Sequence, residues 1–269
     1  MIKEVSAKNG DASKDALGDR MKQYEAVEAD RKLEPGLPIY VRLDGRAFST
    51  FTRGLQKPYD RRLSWIMAQT AITLMGKARP QIAYTQSDEI SLGWFAKEEM
   101  AEFLFGGRTQ KLTSVLAGMA SARFNQLCYE MGGTYAERAE RYVPHFDARV
   151  YQVPTEMELM NSFVWREQDC ARNAVSMAAQ AMIPHKMLQG VKTQEMKSLL
   201  ALQGVNFDED YPSFFKHGSY FRKELREYPL PDSAPAEFRN ENETMLRSRI
   251  IRVKNPEWDT TLDRLLYFK

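Results

Sequence analysis

The sequence predicts an α+β fold built on a ferredoxin-like βαββαβ unit, followed by a helical C-terminal extension. The first observation is a strand pattern at residues 39–44, where apolar and polar side chains alternate. The second is a helical period at residues 60–76, where apolar side chains recur every three or four positions. The third is the order of the predicted elements up to residue 153, which is strand, helix, strand, strand, helix, strand. Many nucleotide-handling enzymes and many unrelated proteins share this order, so the fold alone does not define a function.

The N-terminal part of the chain contains a leader, one helix and the first strand. Residues 1–17 are rich in Lys, Asp, Ser, Ala and Gly without periodicity, which predicts a flexible leader. A helix is predicted for residues 17–33, because a Glu-Pro-Gly sequence ends it. Along the strand that follows, the apolar residues share one face, and the polar residues, including Asp44, share the other.

The rest of the βαββαβ unit has its own start and stop signals. The next helix begins near Pro58 and Asp60 and ends near Gly76 and Pro80. The remaining predicted elements are strands at residues 81–85 and 90–95, joined by a hairpin tip at 86–89, a helix at 111–131 and a strand at 146–153.

Beyond this unit the pattern is mainly helical. The predicted elements are helices at residues 155–182 and 193–202, a strand or hairpin at 214–221, a surface loop at 228–242 and a last strand at 249–253. We therefore expect four parts: a leader (1–17), a catalytic βαββαβ domain (18–154), a helical extension packed on it (155–225) and a C-terminal tail (226–269).

Composition and charge exclude several classes of protein. Hydrophobic residues make up 43% of the chain and charged residues 28%, which is typical of a globular protein and not of a disordered one. No apolar run approaches the roughly 18 residues that a spanning helix needs, and the first residues carry no secretory pattern. We expect a cytoplasmic protein that does not use a membrane. The two cysteines and three histidines lack zinc-ligand spacing, and a net charge of +2 does not by itself indicate a nucleic-acid partner.

Two acidic residues lie where neighbouring strands of the predicted sheet end. Asp44 ends the first strand, and Asp88 lies in the hairpin between the second and third. Because the first and third strands are neighbours in a βαββαβ unit, we expect the two carboxylates to approach each other. Two Mg²⁺ ions held by oxygen ligands suit nucleotidyl transfer, and the backbone carbonyl of Gly45 could complete the set. The alternative is that each acid merely caps a loop or turn.

Backbone and basic groups near these acids are candidate phosphate contacts. The turn Gly45-Arg46-Ala47-Phe48-Ser49 could cradle a triphosphate with its N–H groups, or it could be an ordinary connection. Lys57, Arg108 and Lys111 are candidate phosphate partners, and the last two share a helix start. The alternative for all three is a solvated basic face.

Five motifs in one order resemble the tRNA-His guanylyltransferase family, over about residues 17–225. The motifs are Arg42-Leu43-Asp44-Gly45-Arg46-x-Phe48, Lys57-Pro58-Tyr59-Asp60, Ala83-Tyr84-x-Gln86-Ser87-Asp88-Glu89, Phe146-Asp147-Ala148-Arg149 and Trp165-Arg166-x-x-Asp169-Cys170-x-x-Asn173. Five motifs in order are far more specific than any one of them.

The resemblance implies a polymerase-type palm that adds nucleotides to RNA 5′ ends, in the direction opposite to ordinary polymerases. It also implies tRNA as the partner, GTP, ATP and other nucleoside triphosphates as substrates, and a homotetramer built as a dimer of dimers. The implied site residues are the ligands of two Mg²⁺ ions, Asp44, Gly45 and Asp88, the nucleotide contacts Asp44 to Ser49, Ser87 and Asp88, and the triphosphate contacts Lys57, Arg108 and Lys111.

One segment departs from the family's pattern. Where eukaryotic tRNA-His enzymes carry His-Ile-Asn-Asn-Leu-Tyr-Asn, this chain has Ala171-Arg172-Asn173-Ala174-Val175-Ser176-Met177, and only Asn173 matches. The departure resembles the guanylyltransferase-like branch, which favours template-directed repair of 5′-truncated tRNA. We therefore expect repair. The alternatives are untemplated G addition to tRNA-His, a non-catalytic RNA-binding module and a palm-type nucleotidyl cyclase.

Overall fold

A computed structural model describes residues 16–96, 103–229, 244–253 and 260–269 of the chain. The predicted leader lies outside these residues except for its last two positions, and so does most of the predicted loop at 228–242. Within the described ranges, no helix combines the length and the apolar character needed to cross a lipid bilayer.

The described elements follow the predicted order through the first four strands. The helices are α1 (Ala16–Ala29), α2 (Phe48–Phe51), α3 (Arg61–Ala78), α4 (Thr109–Met131), α5 (Gly133–Tyr142), α6 (Glu156–Met182), α7 (His185–Leu188), α8 (Thr193–Leu202), α9 (Phe207–Asp210), α10 (Ser213–His217) and α11 (Thr261–Phe268), with a 3₁₀ turn at Leu104–Gly107. The strands are β1 (Ile39–Gly45), β2 (Ile82–Gln86), β3 (Glu89–Trp94), β4 (Phe146–Gln152), β5 (Ser219–Pro229) and β6 (Thr244–Arg252). The first helix ends four residues before its predicted end.

The strands form one six-stranded sheet in the order β4-β1-β3-β2-β5-β6, and every neighbouring pair is antiparallel. The first four strands have the arrangement of the ferredoxin-like βαββαβ unit, with β1 and β3 adjacent at its centre. The α+β fold that the sequence predicted is therefore confirmed, and β5 and β6 widen the sheet beyond that unit.

The alternation in β1 divides the sheet into two faces. Ile39, Val41 and Leu43 are buried in the main core, together with apolar side chains of α3 and α4. On the opposite face Tyr40 is buried with side chains of α6, and Arg42 lies over the ring of Trp165 in the same helix. The face that carries Asp44 is thus the face that α6 covers.

One predicted element has a different conformation. The aromatic pattern at residues 214–221 predicts a strand or hairpin, but its first four residues belong to the helix α10 and β5 begins only at Ser219. Gly218 separates the two elements with a φ of 74°. The ring of Phe215 packs on Tyr59 with centroids 4.9 Å apart, and this tertiary contact outweighs the β propensity of the segment. The strand prediction was therefore wrong for the first half of the segment.

The C-terminal part contains more structure than the pattern indicated. The strand predicted at residues 249–253 begins earlier, at Thr244, because β6 pairs along most of β5. The helices α5 and α11 were not predicted. For α5 the reason is local, since the two glycines that end α4 also start the next helix and were interpreted as a stop signal alone. The division of the chain near residues 154 and 225 stays a prediction, although the sheet continues past both in β5 and β6.

The contact between β3 and α6 gives a test of this packing. A Cβ atom at Gly93 would lie 2.8 Å from the Phe163 ring, so Gly93→Ala must displace that ring or α6. We expect a loss of about 1–3 kcal/mol in the free energy of unfolding, measured in urea. Gly118→Ala in α4 is the matched control, because its methyl group meets no atom within 4 Å and alanine favours a helix by up to about 1 kcal/mol. Equal effects of the two substitutions would contradict this account.

Candidate active site

The structure brings Asp44 and Asp88 together at one end of the sheet. Asp44 pairs in register with Glu89 of β3, the residue directly after Asp88. The N–H of Gly45 donates a hydrogen bond of 3.0 Å to the carbonyl of Asp88. The end of β1 and the tip of the β2–β3 hairpin are therefore joined through their backbones, as the predicted strand order required.

The electrostatics of the two acids differ from those of an ordinary surface pair. Burial raises the pKa of the Asp88 carboxyl group, and the negative charge of Asp44 raises it further. In the described part of the chain, no Lys or Arg forms an ion pair with either carboxylate. Two carboxylates are thus held close to each other, and no cation of the described residues pairs with them.

This arrangement fits a magnesium site in its donor set. Among the described residues, no three His, Cys, Asp or Glu side chains cluster as metal ligands. Mg²⁺ does not require such a cage, because it typically binds through one or two carboxylates and keeps waters and substrate phosphates as its other ligands. Asp44, Asp88 and the carbonyl of Gly45 are therefore the residues that would hold the ions, and this role stays a prediction.

The turn after β1 contributes a side chain to the hydrophobic core, which the sequence analysis did not predict. A Cβ atom at Gly45 would lie 2.4 Å from the ring of Phe48, so the glycine makes room for that ring. Phe48 is buried and packs on Phe124 and Phe146, with centroid distances of 5.1 and 5.3 Å. Its side chain therefore belongs to the core, and the packing of this ring is one reason why residue 45 is a glycine.

The proposed phosphate cradle is also smaller than predicted. The N–H of Gly45 is bound to Asp88, and the N–H of Arg46 donates to the carbonyl of His145 at 2.9 Å. Ala47 has a left-handed φ of 56°, and α2 begins directly after it. Arg46, Ala47 and Ser49 are exposed at this turn, so side chains and the first amides of α2 remain for a ligand.

A pocket of about 390 Å³ lies beside the hairpin tip. It is bounded by the segment before α3, by α6 and by α10, and its lining residues include Lys57, Tyr59, Ser87, Asn173, Met177 and Phe215. The structure therefore brings together Lys57 and Ser87, two predicted nucleotide contacts that are 30 residues apart in sequence. Ser87 has a left-handed φ of 48°, a backbone strain of the kind that occurs at functional sites.

The other two predicted phosphate contacts lie elsewhere. The backbone of Arg108 forms an isolated β-bridge with that of Lys32, close to where β1 begins. Asp44, in contrast, is near the end of β1. Phe48, close to Asp44 in the chain, contacts α4 at Phe124. At a rise of 1.5 Å per residue, Phe124 is about 20 Å from the start of α4, where Arg108 and Lys111 lie. The structure does not bring Arg108 or Lys111 to Asp44 and Asp88 within one chain. Their role in triphosphate binding stays a prediction.

A buried ion-pair network next to the acids was not predicted. The guanidinium group of Arg166 in α6 contacts both carboxylate oxygens of Glu89 at 2.8 Å and Asp169 at 2.8 Å. Burial raises the pKa of the Glu89 carboxyl group, while Arg166 opposes that rise. The motif that contains Arg166 predicts a helix packed on the βαββαβ unit with ion pairs inside the motif, but its spacing does not indicate the distant partner Glu89.

Comparison with known proteins identifies the chain. Residues 18–154 match the family model described as Thg1, tRNAHis guanylyltransferase. The chain belongs to the tRNA-His guanylyltransferase family. Its members are nucleotidyltransferases, and this protein is accordingly a tRNA guanylyltransferase-like enzyme. The resemblance seen in the five motifs is confirmed.

Individual relatives cover most of the chain. Uncharacterized protein R259 of Acanthamoeba polyphaga mimivirus is 33% identical in an alignment of 227 positions, which covers 78% of this chain and 77% of that protein. A bacterial tRNA(His) guanylyltransferase (Thg1)-like protein, solved in complex with ATP, is 34% identical with a TM-score of 0.70, over 77% of this chain and 88% of that chain. A second such bacterial structure, in complex with GTP, is 28% identical with a TM-score of 0.67, over 94% and 100%.

The raised pKa of Asp88 predicts a pH-dependent change in stability. Since the folded state binds this proton more tightly than the unfolded state, ionisation of Asp88 opposes folding above its raised pKa and has no effect below its ordinary pKa. In EDTA at pH 7, Asp88→Asn should therefore unfold at a temperature a few degrees above wild type. This advantage should vanish near pH 3, as measured by thermal unfolding across a pH series.

Asp147→Asn is the matched control for this series. Asp147 lies opposite Asp44 in β4, but it is exposed and paired with Arg149 at 3.7 Å. Its substitution should change the unfolding temperature much less. A shift as large as that of Asp88→Asn would show that general charge repulsion, and not the burial of Asp88, is the cause.

Proposed function

We propose that this enzyme adds nucleotides in the 3′-to-5′ direction to the 5′ end of tRNA, with Mg²⁺, and that it repairs 5′-truncated tRNA against a template. The observation that carries the proposal is the pair of carboxylates, Asp44 and Asp88, beside a pocket that is lined by Lys57 and Ser87. Among the described residues, no Lys or Arg forms an ion pair with either carboxylate. The ATP and GTP complexes of the two bacterial relatives support nucleoside triphosphates as substrates.

The proposed reaction has two displacements at phosphorus. An oxygen of the tRNA 5′-monophosphate attacks the α-phosphorus of ATP or GTP and releases pyrophosphate. The 3′-hydroxyl of the incoming nucleotide then attacks the activated 5′-phosphorus, loses its proton and releases the nucleoside monophosphate. Two bound Mg²⁺ ions would activate the attacking oxygen and stabilise the leaving one.

The protein's own groups in this scheme bind and orient the reactants. Asp44, Asp88 and the carbonyl of Gly45 would hold the ions, and the ammonium group of Lys57 would offset phosphate charge at the pocket. Ser87 would contact the nucleotide from the hairpin tip. Such in-line displacement depends mainly on positioning and charge stabilisation, so it does not require a catalytic histidine.

The departure from the family's pattern supports repair as the more specific activity. Asn173, Ala174, Ser176 and Met177 all line the pocket, so the segment that differs from the eukaryotic tRNA-His enzymes forms part of its wall. Ala174 and Met177 stand where the eukaryotic pattern has asparagines, so they offer no fixed side-chain hydrogen bond to one particular base. A wall of this kind suits an enzyme whose choice of nucleotide comes from a template.

The activity is tested on a 5′-labelled tRNA that lacks its first nucleotide, with ATP, the four nucleoside triphosphates and Mg²⁺. We expect template-matched additions by wild type and a decrease of more than about 100-fold in Asp44→Asn and Asp88→Asn, because each removes charge that the reaction uses. Asp19→Asn on the exposed helix α1 is the control and should retain full activity.

The other outcomes separate the competing functions. Addition of a single G to tRNA-His alone would establish untemplated addition and overturn repair. Binding of tRNA without extension under any condition would indicate an RNA-binding module. Formation of a cyclic nucleotide without RNA would indicate a cyclase.

The exposed face of α1 supports the proposed homotetramer, a dimer of dimers. None of the 14 residues of α1 is buried, and Leu17, Met21 and Tyr24 are exposed on one side of it. A helix of this length is marginally stable in water without a packed face, so a second copy would explain it. The two buried free thiols are compatible with the proposed cytoplasmic location.

Light scattering tests the assembly. We expect four times the mass of one chain for wild type and a smaller assembly for Met21→Glu, because a buried unpaired carboxylate is costly. Glu25→Gln, a change on the same helix that buries no charge, should keep the wild-type mass. A monomeric wild-type protein would exclude the tetramer.

A further inference from the structure

Arg166 connects the acid end of the sheet to the wall of the pocket. It lies in α6 and only 9% of its surface is exposed. Its Nε donates to one oxygen of Glu89 at 2.8 Å, and its Nη2 lies 2.8 Å from the other. The same Nη2 donates to Asp169 at 2.8 Å, one turn along the helix. A planar guanidinium with three such contacts has little freedom to move.

The first end of this connection is adjacent to the predicted metal ligands. Glu89 follows Asp88 in the chain and pairs in register with Asp44 across the sheet. Its carboxylate is buried, and both oxygens are engaged by Arg166. Glu89 is therefore not free to bind a ligand in the way that Asp44 and Asp88 are. Because Glu89 adjoins both Asp88 and Asp44, a displacement of Arg166 would displace those two residues as well.

The second end reaches the pocket. The carboxylate of Asp169 accepts from Nδ2 of Asn173 at 3.3 Å, and Asn173 and Cys170 both line the pocket. Asp169, Cys170 and Asn173 follow Arg166 at intervals of three, four and seven residues, which places them on one face of α6. One chain of contacts thus runs from the acid pair through Glu89, Arg166 and Asp169 to the pocket wall.

Stability alone is a poor explanation for this network. Replacing a buried ion pair by apolar side chains of similar size is often neutral or stabilising, because the pair must give up its hydration. The large interface between α6 and the sheet already contains a set of buried apolar side chains, among them Phe163 and Leu159. Among the described residues, the ion pair between α6 and a strand of the sheet is the one from Arg166 to Glu89, at the end of the sheet where Asp44 and Asp88 lie.

We propose that Arg166 is a positioning residue, which holds the Asp44–Asp88 pair in register with the pocket wall on α6. The proposal rests on the proposed function, because it assigns the pair to metal ions and the pocket to a nucleotide. Reaction rates are sensitive to such placement, since a displacement of about 1 Å costs on the order of 100-fold.

The decisive variant is the double substitution Glu89→Gln with Arg166→Met. It removes one negative and one positive charge, so the net charge beside Asp44 and Asp88 is unchanged and only the connection is lost. We expect the kcat of tRNA extension to fall by about 30–100-fold. The KM for the incoming nucleotide should change less than about threefold, and Mn²⁺, a probe for the metal site, should bind at least about fivefold more weakly.

Two further variants keep the test interpretable. Arg172→Met removes an exposed partner of the same Asp169, paired at 2.7 Å, and should leave kcat and Mn²⁺ binding at wild-type values. Arg166→Lys keeps the charge but cannot contact two carboxylates as a fork, so it should lower kcat even if the double variant does not fold. The urea midpoint of each variant reports folding separately.

A merely structural role predicts a different pattern, in which any loss of activity follows the loss of folded protein. The proposal would be overturned if the folded double variant kept the wild-type kcat and Mn²⁺ affinity. If the double variant does not fold, the same result in folded Arg166→Lys would overturn it. If wild type extends no tRNA, the proposed function fails. The Mn²⁺ measurement would then still decide whether Arg166 positions the acid pair.

Discussion

The antiparallel pairing of β1 with β3 is the constraint on which the site depends. This pairing places Asp44 opposite Glu89 and allows Gly45 to bind the backbone of Asp88. Because side chains alternate along a strand, a slip of one residue would turn Asp44 toward the core and Leu43 toward α6. The core prevents that slip, since Ile39, Val41 and Leu43 are almost fully buried between the sheet and the helices α3 and α4.

The site concentrates features that oppose folding. Two acids approach each other without an ion-pair partner among the described residues, and Ala47 and Ser87 have left-handed φ angles on either side of them. Such backbone conformations cost of order 1–3 kcal/mol each in a residue other than glycine. The aromatic packing around Phe48 lies directly beneath this region and holds the turn in place. The packing of the core beneath the strand ends therefore offsets the unfavourable free energy of the site.

The helix α6 gives the site its second side. It covers the polar face of the sheet, contributes Arg166 to the acid end and forms one wall of the pocket with Asn173 and Met177. The first side is made by the βαββαβ unit, which holds Asp44, Asp88 and the segment with Lys57. The site is thus assembled from parts of the chain about 80 residues apart, and the contact between them is charged as well as apolar.

Much of the fold was predictable because its signals are local. The alternation in β1, the capping aspartate Asp60 and the period of α3 specify their elements within a few residues, and the order of elements specifies which strands are neighbours. The sequence by itself therefore determined that Asp44 and Asp88 would meet. It could not specify α10 or the length of β6, because these depend on a packing partner and on pairing with a distant strand.

Only the tertiary structure decided which candidate groups share a site. It joined Lys57 and Ser87 in one pocket, left Arg108 and Lys111 at the other end of the sheet, and buried Phe48 in the core. It also paired Arg166 with Glu89 across 77 residues of sequence. Residue type defines the chemistry of a side chain, and spacing defines the face of its own helix or strand on which it lies. Which distant element it then meets is set by how the helices and the sheet pack.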